Sequence, residues 1–126
     1  MKKIINTTNA PAPVGPYNQS VMVGNILFVS GQIAIDPSSG DLVQGSIEEE
    51  ATQVMKNLKA VLNEAGLDFN NVAKASVFVK DMNDYAKINS VYAQYFDEAT
   101  APARELVEVA NLPKFVNVEI SVIASK

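Results

Sequence analysis

The stretch Ser46–Lys80, SIEEEATQVMKNLKAVLNEAGLDFNNVAKASVFVK, holds both of the periods that a mixed fold needs. Over Ser46–Ala65 the apolar residues Ile47, Ala51, Val54, Met55, Leu58, Val61, Leu62 and Ala65 recur at steps of three and four. That spacing predicts a helix with one apolar stripe. Ser46 with Glu49 fits a capping box, hydroxyl and carboxylate each satisfying a helix-end N–H, and Gly66 supplies the stop. The period then changes to two. Ala73, Ala75, Val77 and Val79 alternate with Lys74, Ser76, Phe78 and Lys80, which predicts a strand over Val72–Lys80.

Working outward, a second helix is predicted from about Asn83 or Asp84 to Phe96, with Ile88, Val91, Tyr92, Tyr95 and Phe96 on its buried side. Arg104–Ala110 and Phe115–Ala124 read as strands paired across Asn111-Leu112-Pro113-Lys114. Toward the N-terminus, residues 1–5 form a short strand, and the prolines of Ala10–Pro16 make a rigid irregular segment. Ser20–Val23 and Asn25–Ser30 form a hairpin around Gly24-Asn25; Gln32–Ile35 continues extended and Asp36–Gly40 turns. This order is an α+β two-layer sandwich. No repeat, low-complexity tract or linker interrupts it, so residues 1–126 read as one domain.

Composition narrows the chemistry. The 126 residues carry 10 Lys+Arg against 14 Asp+Glu, a net charge of −4, and include no His, Cys or Trp. A disulfide framework, a thiolate nucleophile, an imidazole relay and a His- or Cys-based metal site are all excluded. Any reaction must run on carboxylates, Arg, Lys, Tyr, Ser, backbone groups and water. Lys2-Lys3-Ile4-Ile5 opens like a signal peptide but Asn6-Thr7-Thr8-Asn9 ends it, and no apolar run approaches the ~18–20 residues of a membrane span. The expectation is a cytoplasmic protein with no membrane partner. The acidic balance makes nucleic acid a poor electrostatic partner.

The strand pattern divides into two faces. Val77, Val79, Val107, Val109, Val116, Val118, Ile120 and Val122 belong to the one that the helices should cover. The other collects Phe78, Leu106 and Ile123 together with Ser76, Arg104, Glu108, Asn117, Glu119 and Ser121. Such a mixture fits a subunit interface containing polar pockets, or a solvated face with scattered apolar residues. On it, Arg104 offers a planar fork of donors for a carboxylate, and Glu119, flanked by Val118 and Ile120, would have its pKa raised by burial. An interface ion pair is the plainer account of an Arg near two Glu residues. Tyr17 and Ser30-Gly31 would ordinarily be turn and edge residues, Asn89 solvated, and Tyr92 and Tyr95 core.

Seven segments carry a resemblance: Ala12–Tyr17, Val29–Ile33, Val77–Met82, Ile88–Tyr92, Ala101–Arg104, Val107–Lys114 and Val118–Ile120. In this order and spacing the chain resembles, along essentially its whole length, the RidA branch of the Rid (reactive intermediate deaminase, YjgF-type) family. The resemblance implies a chorismate-mutase-like fold, a mixed β-sheet with two helices packed on one face, assembled as a homotrimer with clefts at subunit interfaces. It implies a 2-iminobutanoate/2-iminopropanoate deaminase that hydrolyses enamine/imine intermediates such as 2-aminoacrylate, released by pyridoxal-phosphate-dependent dehydratases, to 2-oxo acids and ammonia. No cofactor and no metal are implied. By position, Arg104 would bind the substrate carboxylate and Glu119 would activate the attacking water, while Tyr17, Ser30, Gly31 and Asn89 line the cleft.

The chain departs from the family pattern after Arg104, where Glu105 and Leu106 replace a small Ser and then Cys, Ala or Thr. Leu106 is expected beside the site and bulkier, which bears on substrate range more than on reaction class. Position 121, often acidic in the family, is Ser. Two other readings belong to different classes: a carboxylate-binding sensor or chaperone-like trimer that uses Arg104 without turnover, and a ribonuclease or translation inhibitor.

Overall fold

The computed structural model describes residues 1–126. Helix α1 (Ile47–Glu64) forms where the apolar stripe predicts it, burying Ala51, Val54, Met55, Leu58, Val61 and Leu62. Of the predicted capping box only the hydroxyl half is made: the Glu49 N–H donates to Ser46 Oγ at 3.1 Å. Three glutamates in the first turn, Glu48 to Glu50, sit favourably at the positive end of the helix dipole. At the other end the N–H of Gly66 (φ +76°) donates to Asn63 O and that of Leu67 to Leu62 O, so the last carbonyls are met by a left-handed exit that glycine adopts without strain.

Six strands, β1 (Lys2–Ile5), β2 (Ser20–Val23), β3 (Ile26–Gln32), β4 (Val72–Val79), β5 (Ala103–Glu108) and β6 (Val118–Ser125), make one sheet in the order β1-β2-β3-β6-β4-β5. Every neighbouring pair is antiparallel except β4 and β5, which run parallel. Helix α2 (Tyr85–Tyr92) is shorter than its apolar pattern suggests, because 3₁₀ turns at Met82–Asp84 and Ala93–Tyr95 occupy its flanks. It lies on the same side as α1 and supplies the crossover that a parallel pair requires.

That crossover overturns the predicted hairpin between the last two strands. β6 does not pair with β5; it inserts between β3 and β4, and β5 is left at the sheet edge. A strand that buries Val118, Ile120, Val122 and Ala124 gains more as a central strand with two partners than as one arm of an edge hairpin. The parity of β5 changes with its partner. Ala75 pairs with Arg104 and Val77 with Leu106, so Arg104, Leu106 and Glu108 lie on the helix-covered face. Val107, expected inside, is 42% exposed on the other face. A one-residue change of parity moves every side chain of a strand across the sheet.

Two polar side chains on α1 are buried and tie the layers together. Glu50 accepts from Asn117 N at 2.8 Å, Asn117 Nδ2 at 2.9 Å and Val118 N at 3.2 Å; Asn57 Nδ2 donates to the carbonyls of Ile33 and Ile35, each at 2.9 Å. Glu50 therefore fastens the entry to β6, and Asn57 the exit from β3. Glu50→Ala would leave three donors unmet and should lower unfolding stability by about 2–3 kcal/mol. Urea denaturation at fixed protein concentration checks this.

Candidate functional site

Arg104, the chain's only arginine, stands second in β5 with its guanidinium against α2. Nη1 donates to Asn89 Oδ1 at 2.8 Å and Nη2 to the Tyr85 hydroxyl at 3.3 Å. Its Cζ lies 4.9 Å from the centre of the Tyr92 ring. No carboxylate pairs with it: the chain's one ion pair joins Lys74 to Glu105 at 3.0 Å on the opposite face. Arg104 is thus held by neutral groups, with no ion-pair partner. It borders an open cavity of about 640 Å³ walled by Tyr85, Asn89, Tyr92, Phe96, Glu98 and Pro102, the Glu98 carboxylate making no ion pair with it.

Glu119 pairs with Phe78 and so faces away from the helices. Burial raises its pKa above the ordinary 4.5, as its apolar flanks predicted. Its carboxyl lies against Gly31, where an added Cβ would come within 2.7 Å of Glu119 Cδ, so a larger residue at 31 would displace the Glu119 side chain. A second cavity, of about 180 Å³, is lined by Tyr17, Gly31, Ile33, Ile35, Lys114 and Glu119. Gln19 holds its wall in place, donating from Nε2 to Thr7 O, Ala10 O and Pro11 O and accepting from Thr7 N–H.

The residues singled out by sequence therefore fall into two groups. Tyr17, Gly31 and Glu119 converge on one cavity, and Asn89 joins Arg104 at the other. Ser30 sits next to Gly31, but its hydroxyl is engaged, donating to Asn18 O at 2.6 Å. The Leu106 side chain packs against the core, and Glu108 accepts from Met82 N at 2.9 Å. Neither Arg104 nor Glu108 shares a face with Glu119. At ~4.8 Å per strand and ~3.3 Å per residue, the Arg104 and Glu119 backbones stand roughly 14 Å apart.

Residue-by-residue reading missed Tyr85, and it read Tyr92 as core only. Both lie one helical turn from Asn89, at 85, 89 and 92, so one face of α2 carries all three partners of the guanidinium. The uniqueness of the arginine among ten basic residues was the available signal. No group of three or more acidic residues comes together as a metal site, and no helix is long and apolar enough to cross a membrane.

Lys114 and Phe115 beside the Glu119 cavity adopt φ of 54° and 55°, the left-handed region, and Phe115 is 78% exposed. Phe115→Gly relieves ~1–2 kcal/mol of strain against ~0.5–1 kcal/mol of added chain entropy, so a variant about 0.5–1 kcal/mol more stable is expected on thermal melting. For Glu119 the linkage runs the other way from a paired carboxylate. Between 4.5 and its raised pKa the folded chain keeps a proton that the unfolded chain has lost, so stability is fully present below 4.5 and falls as pH rises through that window. Glu119→Gln should match the parent near ~pH 4 and exceed it near ~pH 7 in paired melts.

Comparison with known proteins gives the family. The family model described as Endoribonuclease L-PSP matches residues 7–126. A Synechocystis protein named as a RutC family member is 58% identical over 123 residues, covering 97% of this chain and 95% of that one. The mouse 2-iminobutanoate/2-iminopropanoate deaminase is 49% identical over 124 residues, covering 98% and 91%. The crystal structure of E. coli TdcF with bound serine superposes with a TM-score of 0.92 at 44% identity, covering 98% of each chain. The chain belongs to the Endoribonuclease L-PSP family, the Rid (YjgF-type) proteins, as its sequence segments indicated.

Proposed function

We propose that this chain is a cofactor-free 2-iminobutanoate/2-iminopropanoate deaminase working in clefts between subunits of a homotrimer. What carries the reading is the placement of its two reactive groups. An arginine without an ion-pair partner and a carboxyl of raised pKa lie on opposite faces of one sheet, so a single small ligand can meet both only if a second copy brings its Glu119 toward Arg104. The uncovered sheet face supports assembly: Ile4, Val21, Phe28, Phe78, Val107 and Ile123 form a partly exposed apolar surface that a neighbouring subunit would cover.

In such a cleft the guanidinium grips the carboxylate of a 2-imino acid and fixes C2. β5 is an edge strand, and since Val109 N–H points at β4, alternation turns the Leu106 N–H outward, free to donate to ligand or water. Ionised Glu119 takes a proton from a water that attacks C2. Passing that proton to the imine nitrogen gives a neutral carbinolamine; the carboxylate then relays the carbinolamine O–H proton to the amine nitrogen, the C=O bond forms as the C–N bond breaks, and 2-oxo acid and ammonia result. General base action of this kind contributes ~10²–10⁴-fold, enough for a hydrolysis that already proceeds in water.

Adding the protein to a threonine or serine dehydratase reaction should accelerate 2-oxo acid formation. Arg104→Ala should abolish at least ~10²-fold of that acceleration while the fold persists. Unchanged rates in the variant would sink the assignment. Serine bound to TdcF favours a second reading, a carboxylate-binding sensor, which would bind the 2-oxo acid in this assay without accelerating its formation.

A further inference from the structure

We propose that α2 is a rack for the Arg104 guanidinium and that Tyr92 is its positioning residue, the ring face holding the cation while Asn89 and Tyr85 engage its N–H groups. The geometry is local and complete. Tyr85, Asn89 and Tyr92 recur at helical spacing on one face, and each reaches the guanidinium: 3.3 Å from the Tyr85 hydroxyl, 2.8 Å from Asn89 Oδ1, 4.9 Å to the Tyr92 ring centre. An arginine side chain otherwise samples many rotamers, all of which a ligand would have to freeze. Two of its five N–H donors are spent on α2 and three remain, enough to grip a carboxylate through two.

Tyr92 contributes through its face. It is only 7% exposed, and its hydroxyl makes no hydrogen bond to any other group of the chain, so the phenol forms no polar link to Arg104. The neighbouring aromatic cluster fixes the ring: Tyr92 lies 4.7 Å from Phe96, which lies 5.3 Å from Phe69. The rack thus connects the guanidinium to the packed layer between helices and sheet. It is a property of the folded chain; only its kinetic consequence rests on Arg104 acting as the carboxylate clamp.

Because Arg104 is the only arginine, its Nε–H gives a single arginine side-chain resonance in ¹⁵N-resolved NMR of the intact protein. A cation over a ring face should show an upfield, slowly exchanging signal. Tyr92→Leu should return it to the position of a free arginine, and Tyr92→Phe, which keeps the face, should restore it. In deaminase assays Tyr92→Leu should raise KM about tenfold with kcat changed less than about threefold, and Phe should recover the lost KM. A resonance unmoved by Leu, or a Phe variant as impaired as Leu, overturns the proposal. If Tyr92→Leu does not fold, the parent protein's own spectrum decides: an Nε–H with the shift and exchange rate of a free arginine overturns the proposal equally. Turnover is not needed for the resonance test: no acceleration of 2-oxo acid formation by the parent protein would refute the proposed deaminase, and Arg104→Ala with undiminished turnover would refute the clamp, and either would leave the rack standing.

Discussion

The alternation of side chains along β6 is the constraint on which the rest depends. Val118, Ile120, Val122 and Ala124 are buried beneath the helices, and a strand has only two sides, so Glu119 is forced onto the uncovered face. Burial then acts twice. It provides the hydrophobic free energy that holds β6 between β3 and β4, and it places one carboxyl in surroundings poor enough in water to raise its pKa. Glu50, reaching from α1 to Asn117 and Val118, sets where this alternation begins.

A second consequence comes from the parallel edge. Because β5 pairs with β4 through the α2 crossover, the arginine at its start faces the helix layer and leans on the helix that made the crossover possible. Connection and site are therefore one device. The two groups that the proposed chemistry joins lie on opposite sides of the sheet, so under the proposed function a single copy would hold half of each of two sites. The absence of His and Cys is compatible with such chemistry, since an arginine, a carboxyl and a water require neither.

Much of this was legible in the chain. The apolar stripe of α1, the alternation of β4 and β6, and the Gly24 turn between β2 and β3 each depend on neighbours in sequence, where period and turn chemistry speak directly. Glu119 was readable for the same reason: its flanking Val118 and Ile120 announce which way it cannot point. The partner of β5 was not readable. Arg104–Glu108 is compatible with either parity, and four residues between two strands look like a hairpin loop whether or not the strands pair. The roles of Tyr85 and Tyr92 depended on that parity, so they were hidden with it.

By itself, then, the sequence determined the elements, the two-layer class, the family and the small set of side chains able to do chemistry, because these follow from local period, composition and segment identity. Only the tertiary structure decided which side of the sheet each of those side chains occupies. Strand pairing is a competition among distant segments, settled by total burial, and one residue of parity separates an arginine on the open face from an arginine held against α2.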